Sequence, residues 1–311
     1  MKPEIRNSNI ISKSIRLLFL VFILPLSIRA QTDTIYISSI KDNTLYQDTL
    51  GSFSNGSGAY FFAGKTFQAV NNLRRGLVAF DIAGSVPVGS AIVGAELTLR
   101  MSKTISGTFE IGIYRALKKW GEGTSDAVGQ EGVGDSSTID DATWIHNYFD
   151  TSLWTNIGGD FIPSPSATDS VAGIGFYTFG TSAQITADVQ TWLDFPDSNN
   201  GWILIGDEST FASAKRFDAR ENAISANRPE LKIYFIAPPC CIGNRGDVNN
   251  DGDDANILDL TFLVDRIFRG GPAPDCLVES DLNNDSTPAN ILDLTFLVDR
   301  IFRGGPAPEP C

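Results

Sequence analysis

The sequence predicts an antiparallel β-sandwich followed by a small all-α module built from one loop-and-helix unit used twice. Three observations carry that expectation. Residues 31–236 are mostly short apolar runs separated by Gly, Pro, Ser and Asn. A single segment there reads as a helix. The last quarter of the chain then repeats twenty residues without change, ANILDLTFLVDRIFRGGPAP, at Ala255–Pro274 and at Ala289–Pro308.

Taken in order, Met1–Ala30 has the form of a secretory signal. Lys13 and Arg16 precede the apolar run Leu17–Leu24, and Ala30 is a suitable cleavage residue. The run is too short to span a bilayer as a settled helix, and no later stretch approaches that length. The mature chain is therefore expected to be secreted, extracellular or at the cell surface, without membrane insertion. An uncleaved N-terminal anchor is the alternative, because Arg29 is awkward beside the cut. Loss of the leader removes five basic residues (Lys2, Arg6, Lys13, Arg16, Arg29) and one acid (Glu4), which moves the formal charge from −13 to −17. So acidic a chain is a poor partner for nucleic acid or anionic membranes.

The β region follows over 31–236. Leu73–Asp81, Ala91–Met101, Thr108–Tyr114, Gly201–Ile205 and Glu230–Phe235 are alternating or continuous apolar runs, and Ala183–Phe195 reads as the helix. Many short strands with one helix favour a sandwich. Ala237-Pro238-Pro239 opens a stiff linker over 237–245, and the repeat module occupies 246–311.

Pyranose rings present C–H faces that stack on exposed aromatics, and long loops are where β-domains place binding groups. The stretch from Trp120 to Phe161 carries Trp120, Trp144, Tyr148 and Trp154 among Gly, Ser and Asp, so these four are the candidate carbohydrate contacts. The competing reading is that the same rings are buried and pin the loop. Arg74, Arg75, Arg216, Arg220 and Arg228 would suit an acidic polysaccharide or serve as internal ion-pair partners. The only histidine, His146, has no partner motif for nucleophilic hydrolysis. A carboxylate pair suffices for glycoside hydrolysis, with Asp81, Glu122 and Glu221 the first candidates, but no motif singles them out. A non-catalytic protein is the expectation; a polysaccharide hydrolase or lyase and a structural matrix protein are the alternatives.

In the repeat module Asp247, Asn249 and Asp251 alternate, Gly252 follows, and Asn256 precedes Asp259 by three. Calcium takes six to eight oxygens, supplied from alternating positions of a tight loop and closed by a carboxylate. The second copy offers Asp281, Asn283, Asp285, Asn290 and Asp293, with Ser286 where the first has Gly252, which would cost roughly 1 kcal/mol in a left-handed turn and weaken the second of two expected sites. Leu260, Leu263, Val264, Ile267 and Phe268 make the apolar stripe of the first helix and Leu294, Leu297, Val298, Ile301 and Phe302 that of the second, and Gly270 and Gly304 are the expected left-handed caps. Four cysteines, Cys240, Cys241, Cys276 and Cys311, surround the module and agree with export. A Cys240–Cys241 bridge would be strained, so each is expected to pair with Cys276 or Cys311, in either arrangement.

These residues resemble the duplicated repeat of dockerin domains, Asp-x-Asn-x-Asp-Gly-x-x-Asn-x-x-Asp, over about Gly246 to Gly305, with one extra residue between turn and Asn in each copy. The resemblance implies calcium and a cohesin-like or other surface scaffold partner. Ile257-Leu258 and Ile291-Leu292 stand where many dockerins carry hydroxyl residues, which favours the calcium module over a cohesin partner. The region from Thr34 to Phe235 resembles the DNRLRE-type domain, family 96 of the carbohydrate-binding modules. Carrying the likeness are Arg74–Asp81, Val86–Ile92, Trp120–Gly123, Asp141–Trp144, Trp154 with Gly158–Asp160, Arg216–Asn222 and Arg228–Leu231. It implies a jelly-roll-type sandwich and adhesion to a polysaccharide, alginate being among the ligands known for the family.

Overall fold

The computed structural model describes residues 32–238, 240–241 and 245–310. The leader at Met1–Ala30 and Cys311 lie outside them. In chain order the described elements are β1 Asp33–Tyr46, β2 Phe53–Ser54, β3 Tyr60–Lys65, β4 Leu73–Phe80, β5 Ala91–Thr104, β6 Phe109–Arg115, β7 Asp135–Ser136, β8 His146–Tyr148, β9 Ser152–Leu153, β10 Ala167–Val171, β11 Gly175–Gly180, α1 Ala183–Asp194, β12 Trp202–Ile205, β13 Lys215–Asp218, β14 Glu230–Ile236, α2 Ile257–Arg269 and α3 Ile291–Arg303.

The protein is mainly β and antiparallel. One sheet runs β1-β14-β5-β13-β3-β4, and β1 also pairs with β4, so these six strands close into a barrel. β12, β6 and β10 continue outward from β4, and β11 lies against β5. Closure is the departure from the two separate sheets expected. It arises because β1 is long enough to serve twice: Asp33–Ser38 pair with β14 and Ser39–Tyr46 with β4, with a register irregularity between Ser39 and Lys41.

Period-two alternation along β5 sends Leu97, Leu99 and Met101 inward, where they meet Leu231, Ile233 and Phe217 of the neighbouring strands. Helix α1 is capped by Ser182, whose hydroxyl accepts from the Ile185 N–H, and buries Ile185, Val189, Trp192 and Leu193. Trp192 packs edge-on against Trp202 at 4.6 Å, and Phe80 meets Trp202 at 6.3 Å. Asp188 is fully buried on the same helix and satisfied there by Ser166 Oγ, Gln184 Nε2 and Trp202 Nε1.

A second apolar cluster joins Leu45, Leu77, Ala79 and Ile203 of the barrel wall to Trp120, Trp144 and Trp154. In the C-terminal pair Leu260, Leu263, Leu294 and Leu297 form a third, closed by Val248 and Leu282 from the loops. Phe268 and Phe302 depart from the expected stripe and face water, being 63% and 64% exposed. Gly270 and Gly304 cap the helices in the left-handed region, as expected. Cys240 is bridged to Cys276, and Cys241 is disulfide-bonded as well.

Trp202 packs against Trp192 of α1 and Phe80 of β4 at the centre of the main core. A Trp202→Ala substitution should cost about 3–5 kcal/mol, read as a lower urea midpoint with unchanged slope.

Candidate functional site

An apolar cleft lies on the outer wall of the barrel, where β3, β13 and β5 run side by side. Register sets Arg216 opposite Phe62 on one side and Lys103 on the other, and Asp218 opposite Tyr60. The β3–β4 turn contributes Phe67 to the lining and the β12–β13 loop contributes Ala212; Phe211, beside Ala212, meets the Phe67 ring edge-on at 5.6 Å, and the two phenylalanines are 74% and 48% exposed. The resulting cleft, about 280 Å³, is lined by Phe62, Phe67, Lys103, Ile105, Gln130 and Arg216 among others.

Arg216 lies across the Tyr60 ring, 3.5 Å from its centroid, and donates to Ser102 Oγ at 3.1 Å and Gln130 Oε1 at 3.1 Å. Lys103 Nζ donates to the same Gln130 oxygen at 2.7 Å. Neither cation has a carboxylate partner among the described residues. On the other side of Arg216, which lines both, is a second hollow of about 450 Å³ lined by Tyr60, Arg100, Ser102, Asp218, Asn222 and Asn227. Arg100 is held there by Asp218 at 2.7 Å. Exposed rings, two uncommitted cations and amide groups along an open trough are the chemistry that grips a sugar chain.

The rings named from the sequence sit elsewhere. Trp120, Trp144 and Trp154 are 0%, 6% and 4% exposed. Trp120 donates to the Asn200 carbonyl and lies under the Lys41 ammonium; Trp154 donates to the Thr143 carbonyl; Trp144 lies under Arg75. With no face open to water, these three pin the long loop to the barrel, and a pyranose cannot reach them. Tyr148 is half-buried over Gly121. Of the five arginines, Arg74 is buried and binds the Asn71, Leu73 and Gly132 carbonyls, Arg75 grips Glu208, Arg220 pairs with Glu122 and Glu221, and Arg228 donates to the Asn222 carbonyl. Arg216 alone of them faces the cleft. Phe67 and Phe211 escaped the sequence reading; the signal was a lone aromatic within a polar loop beside a strand.

Glu122 and Glu221 do come together, with Asp42, their oxygens within 4.8 Å of one another. Arg220 bridges the two glutamates, and the buried Asp42 accepts the Arg220 N–H at 2.8 Å. Burial pushes all three carboxyls up, helped for Asp42 by the charge of Glu221. Burial likewise brings the neighbouring Lys41 down to about 8, partly offset by Glu122. Asp81 stands apart and accepts from Gly84 in a turn. His146 Nδ1 hydrogen-bonds to Thr143 Oγ1 and its ring meets Phe149 edge-on.

In the first C-terminal loop Asp247 accepts from the Asp251 and Gly252 N–H groups, and Asn249 Oδ1 accepts from Asp251, folding three oxygen-bearing side chains into one turn. Asp259, fully buried, accepts from Val248, Asn249 and Asn256 N–H groups; burial pushes its carboxyl up, and the nearby Asp251 charge adds to this. Asn256 and Asn290 are spent as helix N-caps, each accepting from the residue two further on. The extra residue of each loop is absorbed at Ala255 and Ala289, both left-handed with φ of 52° and 53°. A calcium ion would be held by Asp247, Asn249, Asp251 and Asp259, with Asp281, Asn283, Asp285 and Asp293 in the second loop; among the described residues the three-carboxylate group whose oxygens all lie within 4.8 Å of one another is instead Asp42, Glu122 and Glu221.

No family model matches this chain, and no curated protein matches it.

For Asp42, Glu122 and Glu221 the folded state holds protons more tightly than the unfolded chain. Their contribution is therefore complete below about pH 4 and is lost as pH rises through the raised values. Thermal melts of Asp42→Asn and wild type from pH 4 to 8 should show a flatter decline for the variant.

Proposed function

We propose that this chain is a secreted, non-catalytic polysaccharide-binding protein. In this reading an acidic glycan lies along the β3–β13–β5 trough, and a calcium-stabilised helix pair joins the domain to a larger assembly or the cell surface. The observation that carries it is the juxtaposition of Phe67 and Phe211 with Arg216 and Lys103, two cations without a carboxylate partner among the described residues, on a chain of formal charge −13. Aromatic faces supply sequence-tolerant stacking. The cations supply a preference for carboxylated sugars and, being partly exposed, a salt-sensitive one. Two hollows flanking Arg216 along the same strands suit the middle of a polymer more than a chain end.

The likeness to DNRLRE-type carbohydrate-binding modules supports the ligand class, and in that reading the two halves of the wall joined by β1 and β3 are the layers of a jelly-roll-type sandwich. The dockerin-like repeat supports calcium and attachment to a scaffold of cohesin-like or other kind. Among the described residues no helix is long and apolar enough to cross a membrane.

The mature protein should be retained on uronate-containing polymers and not on neutral glucans, with no sugar released. Phe67→Ala and Arg216→Ala should each weaken retention about tenfold in affinity electrophoresis, at unchanged melting temperature. Release of sugar would make the protein an enzyme, and silence on every glycan would leave an attachment or matrix role.

Chelation supplies a separate check. Removing calcium should lower the thermal midpoint of the C-terminal transition and leave the β-domain transition in place, as seen by scanning calorimetry.

A further inference from the structure

The two repeats are identical through their helices but differ at the loop entrances. Two residues before the first loop aspartate stands Arg245, and two before the second stands Glu279, a reversal of charge at equivalent positions. Arg245 does not serve its own loop. Its Nη1 donates to the Asp281 carboxylate at 3.3 Å and to the Val278 and Asp281 carbonyls at 3.1 Å each, so the arginine of the first copy is planted in the loop of the second. The pair is enclosed, with 11% and 8% of the two side chains exposed.

Otherwise the two leading aspartates are held alike. Asp247 accepts from the N–H groups of Asp251 at 2.9 Å and Gly252 at 2.8 Å, and Asp281 accepts from Asp285 and Ser286 at 3.0 Å each. Asp247 has no cationic partner among the described residues. The guanidinium on Asp281 is thus the added feature at that carboxylate.

We propose that Arg245 is a built-in cation of the second loop, so that calcium fills the first loop first and the second only at much higher concentration. The inference rests on the calcium reading of the loops and names the residue that sets the order. A fixed positive charge in contact with one ligand carboxylate opposes a divalent ion in the same small volume, and in a partly enclosed site that repulsion is worth at least about tenfold in affinity. Ser286, at φ of 67° where Gly252 has 93°, acts in the same direction, at about fivefold. The two contributions are separable by substitution.

Calcium is titrated calorimetrically into chelator-treated mature protein. One tight and one weak equivalent are expected, at least about tenfold apart. Asp247→Asn should abolish the tight class, and Asp281→Asn should leave it. Arg245→Gln should strengthen the weak class about tenfold, whereas Arg245→Lys should not, and Ser286→Gly should give the smaller gain. Because Arg245 also holds two carbonyls, folding of its variants is checked by circular dichroism, and the Asp247 variant tests the asymmetry without disturbing the Arg245–Asp281 pair. Two equal classes in wild type, or loss of the tight class in Asp281→Asn, overturns the role of Arg245 while calcium binding stands. No calcium uptake at all overturns the calcium reading itself.

Discussion

Everything in the β domain depends on β1 taking part in two pairings at once. Its first half adds to β14 and its second half to β4, and this closes the wall. An unclosed wall would leave the edges of β14 and β4 with unpaired backbone groups. The switch has a chemical consequence, because the second half of β1 carries Asp42, Asn43 and Thr44 into the interior. Polar groups so placed must be paired. Asn43 accepts from Thr44, Ser54 and Asn55, and Asp42 exchanges bonds with Arg220 and Glu122. These contacts draw the turn at Glu122 down onto the barrel, and Trp120 arrives with it.

The parts of this fold legible in the sequence are those where one interaction dominates. β4, β5, β6, β12 and β14 bury continuous or alternating apolar faces, and their runs stand out. Helix α1 announces itself by period and cap. β1 does not, because its second half is satisfied by partners far along the chain, such as Glu122 and Arg220, that no local pattern reveals. The same holds for the tryptophans. Aromatic content in a long loop cannot distinguish a ring offered to a ligand from one whose N–H is already promised to the Asn200 or Thr143 carbonyl. Phe67 and Phe211 look unremarkable one by one, and their significance is purely spatial. In the C-terminal module the spacing of Asp and Asn was visible, but the use of Asn256 and Asn290 as helix caps follows from where the helix begins.

Charge is sorted in a way that the composition conceals. Arg74, Arg75, Arg220 and Arg228 all spend their donors on carbonyls or carboxylates within the fold. Arg74 does so at a cost: burial brings its guanidinium down to about 10, with the Tyr46 ring beneath it. Arg216 and Lys103 are tethered instead by neutral Ser102 and Gln130, which orient a cation without neutralising it. An amide oxygen shared by two cations is a weak anchor compared with a carboxylate. A carboxylated ligand entering the trough would therefore meet charges already positioned and not yet paired. In the proposed reading, such an arrangement would give selectivity for acidic chains without large local net charge, on a surface that otherwise repels them.

The duplicated C-terminus shows why helices can stay identical while loops drift apart. Leu260 and Leu294, and Leu263 and Leu297, share one small core, so a change in either copy must be accommodated by the other. With so few buried residues there is little slack, and the bridge from Cys240 to Cys276 adds a covalent restraint where the core is thin. Apart from Val248 and Leu282, which enter that core, the loops lie under no such constraint. Their backbone is fixed by aspartates accepting from the turn, a device indifferent to the neighbouring residue. Position 245 could become arginine and position 279 glutamate without disturbing either helix. Divergence in a duplicated ion loop is therefore expected first at the entrance residues, where a side chain from one copy can reach the carboxylates of the other.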